Sequence, residues 1–260
     1  MTQRGSADRR SCGNLRSMKQ KTLLVLGAAQ FLMVLDTAVM NVSISQLVKD
    51  FDTTVTTIQS AITLYALVMA ALMITGGKLG DKWGRKRAFG IGMAVYACGS
   101  GLTAVSWSVP TLMLGWSIIE GIGAALVLPA LLALVAENFA GKDRAMAYGV
   151  LGGIAGAGVA VGPILGGWVT TYLTWRVVFA AEVVVAVLIL LGLRWIGSQK
   201  DARTPPQIDV VGSVLSASGL ALVVLGIVQS SSWGFLRPKD SPVAPLGFSL
   251  SVFCVVGGLA

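Results

Sequence analysis

From residue 22 onward the chain is a succession of long apolar runs parted by short polar joints. About 20 apolar residues rising 1.5 Å each span the roughly 30 Å hydrocarbon core of a bilayer. The pattern predicts helices over 22–47, 58–77, 88–107, 111–135, 145–172, 175–193 and 210–228, with an eighth beginning near 245. The runs are long and nearly charge-free, unlike the short alternating segments of barrel strands. The first run is too long for a signal peptide and carries Asp36, so it is expected to be retained.

Two stretches interrupt this rhythm. Residues 1–21 are basic and lack an apolar pattern, and Met18 directly precedes the first run, so translation is expected to start at Met18. Residues 194–209 are polar and include Pro205 and Pro206, which cannot both lie inside a helix. The chain is therefore expected to divide into a cytosolic tail (1–21), a six-helix bundle (22–193), a cytosolic linker (194–209) and extra spanning helices 7 and 8 (210–260), the eighth cut short.

Composition supports the membrane reading. Of 260 residues, 55% are hydrophobic, 32 more are glycine and only 12% are charged. Soluble domains average about 25% charged residues. The spans nearly exhaust the chain, leaving no room for a separate catalytic domain. With no histidine, imidazole acid–base chemistry and histidine metal ligation are excluded. Cys12, Cys98 and Cys254 are scattered, so neither a disulfide frame nor a metal site is indicated, and no nucleophile–base pair suggests an enzyme.

Charge placement sets the expected orientation. With the N-terminus inside, 16 of the 20 Lys and Arg residues fall in cytosolic segments, and only Lys49, Arg176, Arg237 and Lys239 fall outside. The net charge of +8 then serves lipid headgroups and the cytosol, with no nucleic-acid partner required.

Two motifs stand out. The joint after the second helix carries Gly77, Gly80, Asp81, Gly84, Arg85 and Lys86. Its glycines suit a tight turn in which backbone passes backbone, and Asp81 can pair with Arg85 or Lys86. An ordinary positive-inside loop is the simpler reading. The fifth helix carries Gly158, Gly162, Pro163, Gly166 and Gly167. Glycines four apart share a face and admit a neighbouring helix, while proline removes one backbone hydrogen bond and permits a bend.

The loop resembles the signature loop of the major facilitator superfamily. The GxxxGPxxGG string resembles the antiporter motif of its proton-coupled drug exporters. Residues 35–42, the Trp175–Arg176 pair with Phe179, and Asp209 with Gly212 resemble further motifs of the 14-helix drug:proton antiporter branch. The likeness covers residues 19–230. It implies an all-α integral membrane fold: the six-helix N-terminal bundle of the superfamily plus one complete and one partial extra transmembrane helix. The sequence departs from the family at three places. Ser117 stands where arginine is usual in the fourth helix, Glu120 where glutamine is usual, and Glu182 where asparagine is common in the sixth.

Three acids lie inside runs: Asp36, Glu120 and Glu182. An acid at mid-helix is unfavourable by about 2.5–3.5 kcal/mol, so each needs a role or a partner. Counting from the helix ends places Asp36 and Glu120 within about 3 Å in depth. Asp36 shares its face with Met33, Met40 and Ser43, and Glu120 lies near Trp116, Ser117 and Ala124. Such company suits a lipophilic cation. Asp36, Glu120 and Trp116 are therefore the expected proton-coupling and substrate residues; Glu182 belongs to a helix that is peripheral scaffold in this family. A purely structural, hydrogen-bonded role is the competing reading for each acid.

The resemblance implies a proton-coupled multidrug or small-amphiphile efflux antiporter in the plasma membrane. It would be powered by the proton gradient, with no cofactor and no metal. The partners it implies are the lipid bilayer, a small lipophilic or cationic substrate, and a C-terminal bundle or a second copy, because alternating access needs two bundles. A non-transporting remnant or assembly partner of a membrane complex is the alternative. A retinal-bearing seven-helix protein is excluded, because residues 210–228 contain no lysine.

Overall fold

The computed structural model describes residues 3–197, 209–239, 242–243 and 245–259. Eight helices follow in order: α1 (Gln3–Asp50), α2 (Val55–Trp83), α3 (Arg85–Ala104), α4 (Val109–Asn138), α5 (Gly141–Tyr172), α6 (Trp175–Gly192), α7 (Val210–Trp233) and α8 (Leu250–Leu259). Six are long and apolar enough to cross a membrane, α1 from Met18 onward. Side chains fix several of the starts. Thr54, Ser108, Thr174 and Asp209 each accept a hydrogen bond from a backbone N–H in the first turn of the helix that follows. Such caps satisfy donors that the helix itself leaves open.

Every predicted helix is present, and most run past their apolar stretch. A helix continues as long as its backbone bonds are satisfied, whereas hydropathy ends at the first charges. α1 thus reaches back to Gln3, through most of the expected tail. α2 runs through Gly77, Gly80 and Asp81 to Trp83, so the expected loop shrinks to Gly84 at φ +90°. Only glycine adopts that backbone readily. Of the expected linker, 198–208 lie outside the described residues; the preceding Leu193–Trp195 forms a single 3-10 turn.

α1 packs between α5 and α6, and α3 between α4 and α6. α2 packs on α4 and carries α7, which in turn carries α8. Glycines bring these helices close. At Gly76 an added Cβ would collide with the Ala125 carbonyl of α4. At Gly123 it would lie 2.6 Å from the Tyr96 nitrogen of α3, and at Gly99 2.6 Å from the Glu120 nitrogen of α4. With no hydrophobic force between helices in lipid, such close packing holds the bundle together. The resulting core includes Phe89, Met93, Tyr96, Trp116, Trp175 and Phe179, all fully enclosed.

Candidate functional site

A stretch of α4, Met113–Glu120, is wound as a π-helix and ends on Glu120. The Gly121 N–H reaches back to the Trp116 carbonyl, five residues earlier. The wider turn inserts an extra residue and re-aims the side chains around it. Trp116, Ser117 and Glu120 are all completely buried here.

The segment meets α1, α3 and α6 at one point. Asp36, Glu120 and Glu182 each offer an oxygen, and the three oxygens lie within 4.8 Å of one another. The Trp116 indole N–H donates to Asp36 Oδ1 at 2.9 Å. The Ser100 hydroxyl lies 3.0 Å from Glu120 Oε2 and 2.8 Å from Glu182 Oε2. The Tyr96 hydroxyl lies 3.3 Å from Glu182 Oε2. The second oxygen of each acid (Asp36 Oδ2, Glu120 Oε1 and Glu182 Oε1) is buried without a hydrogen-bond partner. Ser117 donates to the Ala61 carbonyl of α2 at 2.8 Å. By spacing alone, the three carboxyls could reach one small cation.

The expected trio of Asp36, Glu120 and Trp116 is therefore assembled in one place, and Glu182 joins it. Ser100, Tyr96 and Tyr65 were not among the expected residues. Small and aromatic residues inside apolar runs carry no signal that separates them from ordinary core. Glu182 did carry one, as the sole acid within its run.

A cavity of about 400 Å3 opens beside this cluster, lined by residues of α1, α2, α4 and α5. Its polar lining comes from Gln30, Thr37, Asn41 and Tyr65, and its apolar lining includes Met33 and Met69. No carboxylate lines it. Tyr65 stacks flat on Trp116, with ring centroids 4.6 Å apart and an 8° interplanar angle. Tyr65 thus connects the cavity wall through Trp116 to Asp36, which is fully buried with Met40 and Ser43.

At one end of the bundle, the loop motif ties helices together. Arg85 pairs with Asp81 at 3.5 Å and with Glu137 of α4 at 3.2 Å. Lys86 donates to the Ile196 carbonyl at 2.8 Å. Gly77 meets only the Pro129 side chain, at an ordinary 3.7 Å. The second motif forms the seam between α5 and α1. A Cβ at Gly158 would lie 2.9 Å from Val34, one at Gly162 would collide with Ala38, and one at Gly166 would lie 3.3 Å from Val39. Gly167 reaches Val42 at 3.9 Å, and α5 stays helical through Pro163. The seam thus flanks Asp36 on α1.

Comparison with known proteins agrees with this architecture. The profile of the Major Facilitator Superfamily matches residues 26–260. The puromycin resistance protein of Streptomyces alboniger is 35% identical over 214 residues, covering 82% of this chain and 42% of that protein. The tetracenomycin C resistance and export protein of Streptomyces glaucescens is 30% identical over 222 residues, covering 85% of this chain and 41% of that protein. This chain thus spans about two fifths of the length of these relatives. Among solved structures, a POT peptide transporter in complex with alafosfalin superposes with a TM-score of 0.63 at 15% identity, covering 92% of this chain and 65% of that one. At that identity the likeness concerns the fold.

Proposed function

The chain belongs to the Major Facilitator Superfamily, and from that membership we propose that it supplies one bundle of a plasma-membrane exporter that exchanges small organic amphiphiles for protons. The observation that carries the proposal is the convergence of all three membrane-embedded acids beside a mainly apolar cavity that has a few polar groups in its wall. A protonated carboxyl is neutral and can rest in an apolar bundle, whereas an ionised one needs water or a counter-charge. Proton loss is thereby linked to opening of the site. The Tyr65–Trp116 stack gives the link a physical route, because a substrate pressing on Tyr65 moves the indole that holds Asp36.

The cavity wall suits molecules that combine apolar rings with hydroxyl and carbonyl groups. Gln30, Thr37 and Asn41 offer neutral hydrogen bonds, the methionines adapt to irregular shapes, and the Tyr65 ring can face a cation. Relatives named for puromycin resistance and for tetracenomycin C resistance and export support this substrate class. In this reading the N-terminus is cytosolic, the ion pairs of Asp81, Arg85 and Glu137 lock the cytosolic ends, and the opposing bundle comes from further polypeptide or a second copy.

The test is uptake into liposomes that carry the complete transporter. An imposed gradient, acid inside, should drive accumulation of an amphiphilic antibiotic. Asp36→Asn should abolish gradient-driven uptake while leaving membrane abundance intact, because the amide cannot exchange the proton. Uptake in the parent protein that ignores the pH gradient would sink the proposal.

A further inference from the structure

Within the six-helix bundle, residues 22–48, 55–77, 88–104, 109–136, 145–172 and 177–193 contain no lysine or arginine and three acids, Asp36, Glu120 and Glu182. All three meet at one point, and none is more than 2% exposed. Three carboxylates cannot share such a space as three uncompensated charges. The hydrogen bonds then specify where a proton lies. Ser100 has one hydroxyl proton but sits within bonding distance of two carboxyl oxygens. It donates to one and must receive from the other, so one of Glu120 and Glu182 is a carboxylic acid. Glu182 Oε2 is approached by two hydroxyls, Ser100 and Tyr96, and Glu120 Oε2 by Ser100 alone. The pattern that satisfies every donor has Glu120 donating to Ser100 while Ser100 and Tyr96 donate to Glu182. Independently of these contacts, Glu120 Oε1 and Glu182 Oε1 are buried without a donor, so whichever of the two acids is ionised has room to take up a proton.

We infer that Glu182 is a proton-binding residue of the transport site, exchanging a proton with Glu120 through the Ser100 hydroxyl. The step is balanced. The O–H bond of Glu120 breaks as one forms at Ser100 Oγ, the original Ser100 O–H breaks, and one forms at Glu182 Oε2. Serine ends unchanged, and the negative charge moves from Glu182 to Glu120. The titratable and hydrogen-bonding groups around Glu182 are Asp36 from α1, Tyr65 from α2, Tyr96 and Ser100 from α3, and Glu120 from α4; α5 carries no charged residue beyond Arg144. The inference rests on the proton-exchange reading above and adds to it that the proton site extends onto α6.

Infrared difference spectroscopy of the full chain in lipid nanodiscs tests this, because a protonated carboxyl has a C=O stretch separate from the amide bands. Raising the pH should remove that band in coupled steps. Glu182→Gln should lower total proton release by about one proton per chain and shift the step that remains for Glu120. Ser100→Ala should keep all three acids but move the band towards the frequency of a carboxyl without a hydrogen-bond partner. A Glu182→Gln titration that superposes on the parent would overturn the inference. Should that variant not fold, an unmoved band in Ser100→Ala would overturn it equally. Sodium chloride added at constant pH, against choline chloride, should leave the band unchanged; its loss would mean that the acids hold an inorganic cation instead. Gradient-driven uptake reports on proton exchange separately: its absence with the spectral changes intact would fail the exporter reading alone.

Discussion

Trp116 is held from two directions, its indole N–H donating to Asp36 and its ring face stacked on Tyr65. The two contacts separate in mutants. Trp116→Phe keeps an aromatic face for Tyr65 but removes the donor, and leaving a buried acceptor without its donor costs about 1–3 kcal/mol. The variant should fold, melt at a lower temperature in detergent, and lose gradient-driven uptake more than substrate binding. A purely packing role for Trp116 predicts the reverse, with binding and uptake falling together. Tryptophan fluorescence on antibiotic addition, compared with uptake, distinguishes them. At the other end of the site, Ser117 bonds to the backbone of α2 and presents no charge to the acids.

At the scale of elements, two glycine motifs act through different physics. Gly162 has no room: its added Cβ would strike Ala38 of α1. Gly162→Ala should therefore push α5 off α1 and destabilise the bundle by about 1–3 kcal/mol, as overpacking does. Gly153, on the same helix, has nothing within 4 Å, and Gly153→Ala should be neutral or gain up to about 1 kcal/mol from helix propensity. Thermal melts of the two variants in one detergent give the comparison directly. Gly84 has open space but a φ of +90°, so its constraint is conformational. A β-branched side chain there costs roughly 1–3 kcal/mol of backbone strain, and Gly84→Val should lower the melting temperature although it touches nothing. Asp81→Asn removes a partly exposed 3.5 Å ion pair and should cost no more than about 1 kcal/mol. Loss of transport in a well-folded Asp81→Asn protein would then belong to the switching step.

At the scale of the whole molecule, the proposed cytosolic N-terminus rests on 16 of 20 cations lying in the N-terminal segment and alternate joints. Alkaline phosphatase fused within residues 51–54, 105–108 or 173–174 should be active outside the cell, and fusions near 84 or 139–140 should be inactive. The opposite pattern would invert the topology. The described helices form one bundle plus the α7–α8 pair on α2, and a single bundle has nothing to rock against. Expressed by itself in an efflux-deficient strain, the chain should leave minimum inhibitory concentrations unchanged. A clear rise would show that two copies assemble around a shared site.

The order of the described helices, the membrane character of most of them and the family were already legible in the residues. Lipid imposes those features locally: each span must be apolar and must satisfy its own backbone, whatever its neighbours do. The glycines of α5 and the turn at Gly84 were legible for the same reason, since absent side chains mark close approach or unusual backbone wherever they fall. The acid cluster was legible only as three costly acids. Helical counting brought Asp36 and Glu120 to one depth, but depth does not give azimuth, and an acid on α6 looked remote from either. The π-helical turn before Glu120 rotates α4, Gly99 lets α3 touch it there, and Ser100 then bridges to Glu182. The contact of Tyr65 and Trp116 beside Asp36 has the same origin. Which face of a membrane helix looks inward is set by packing against other helices, since lipid makes no demand that distinguishes one apolar face from another.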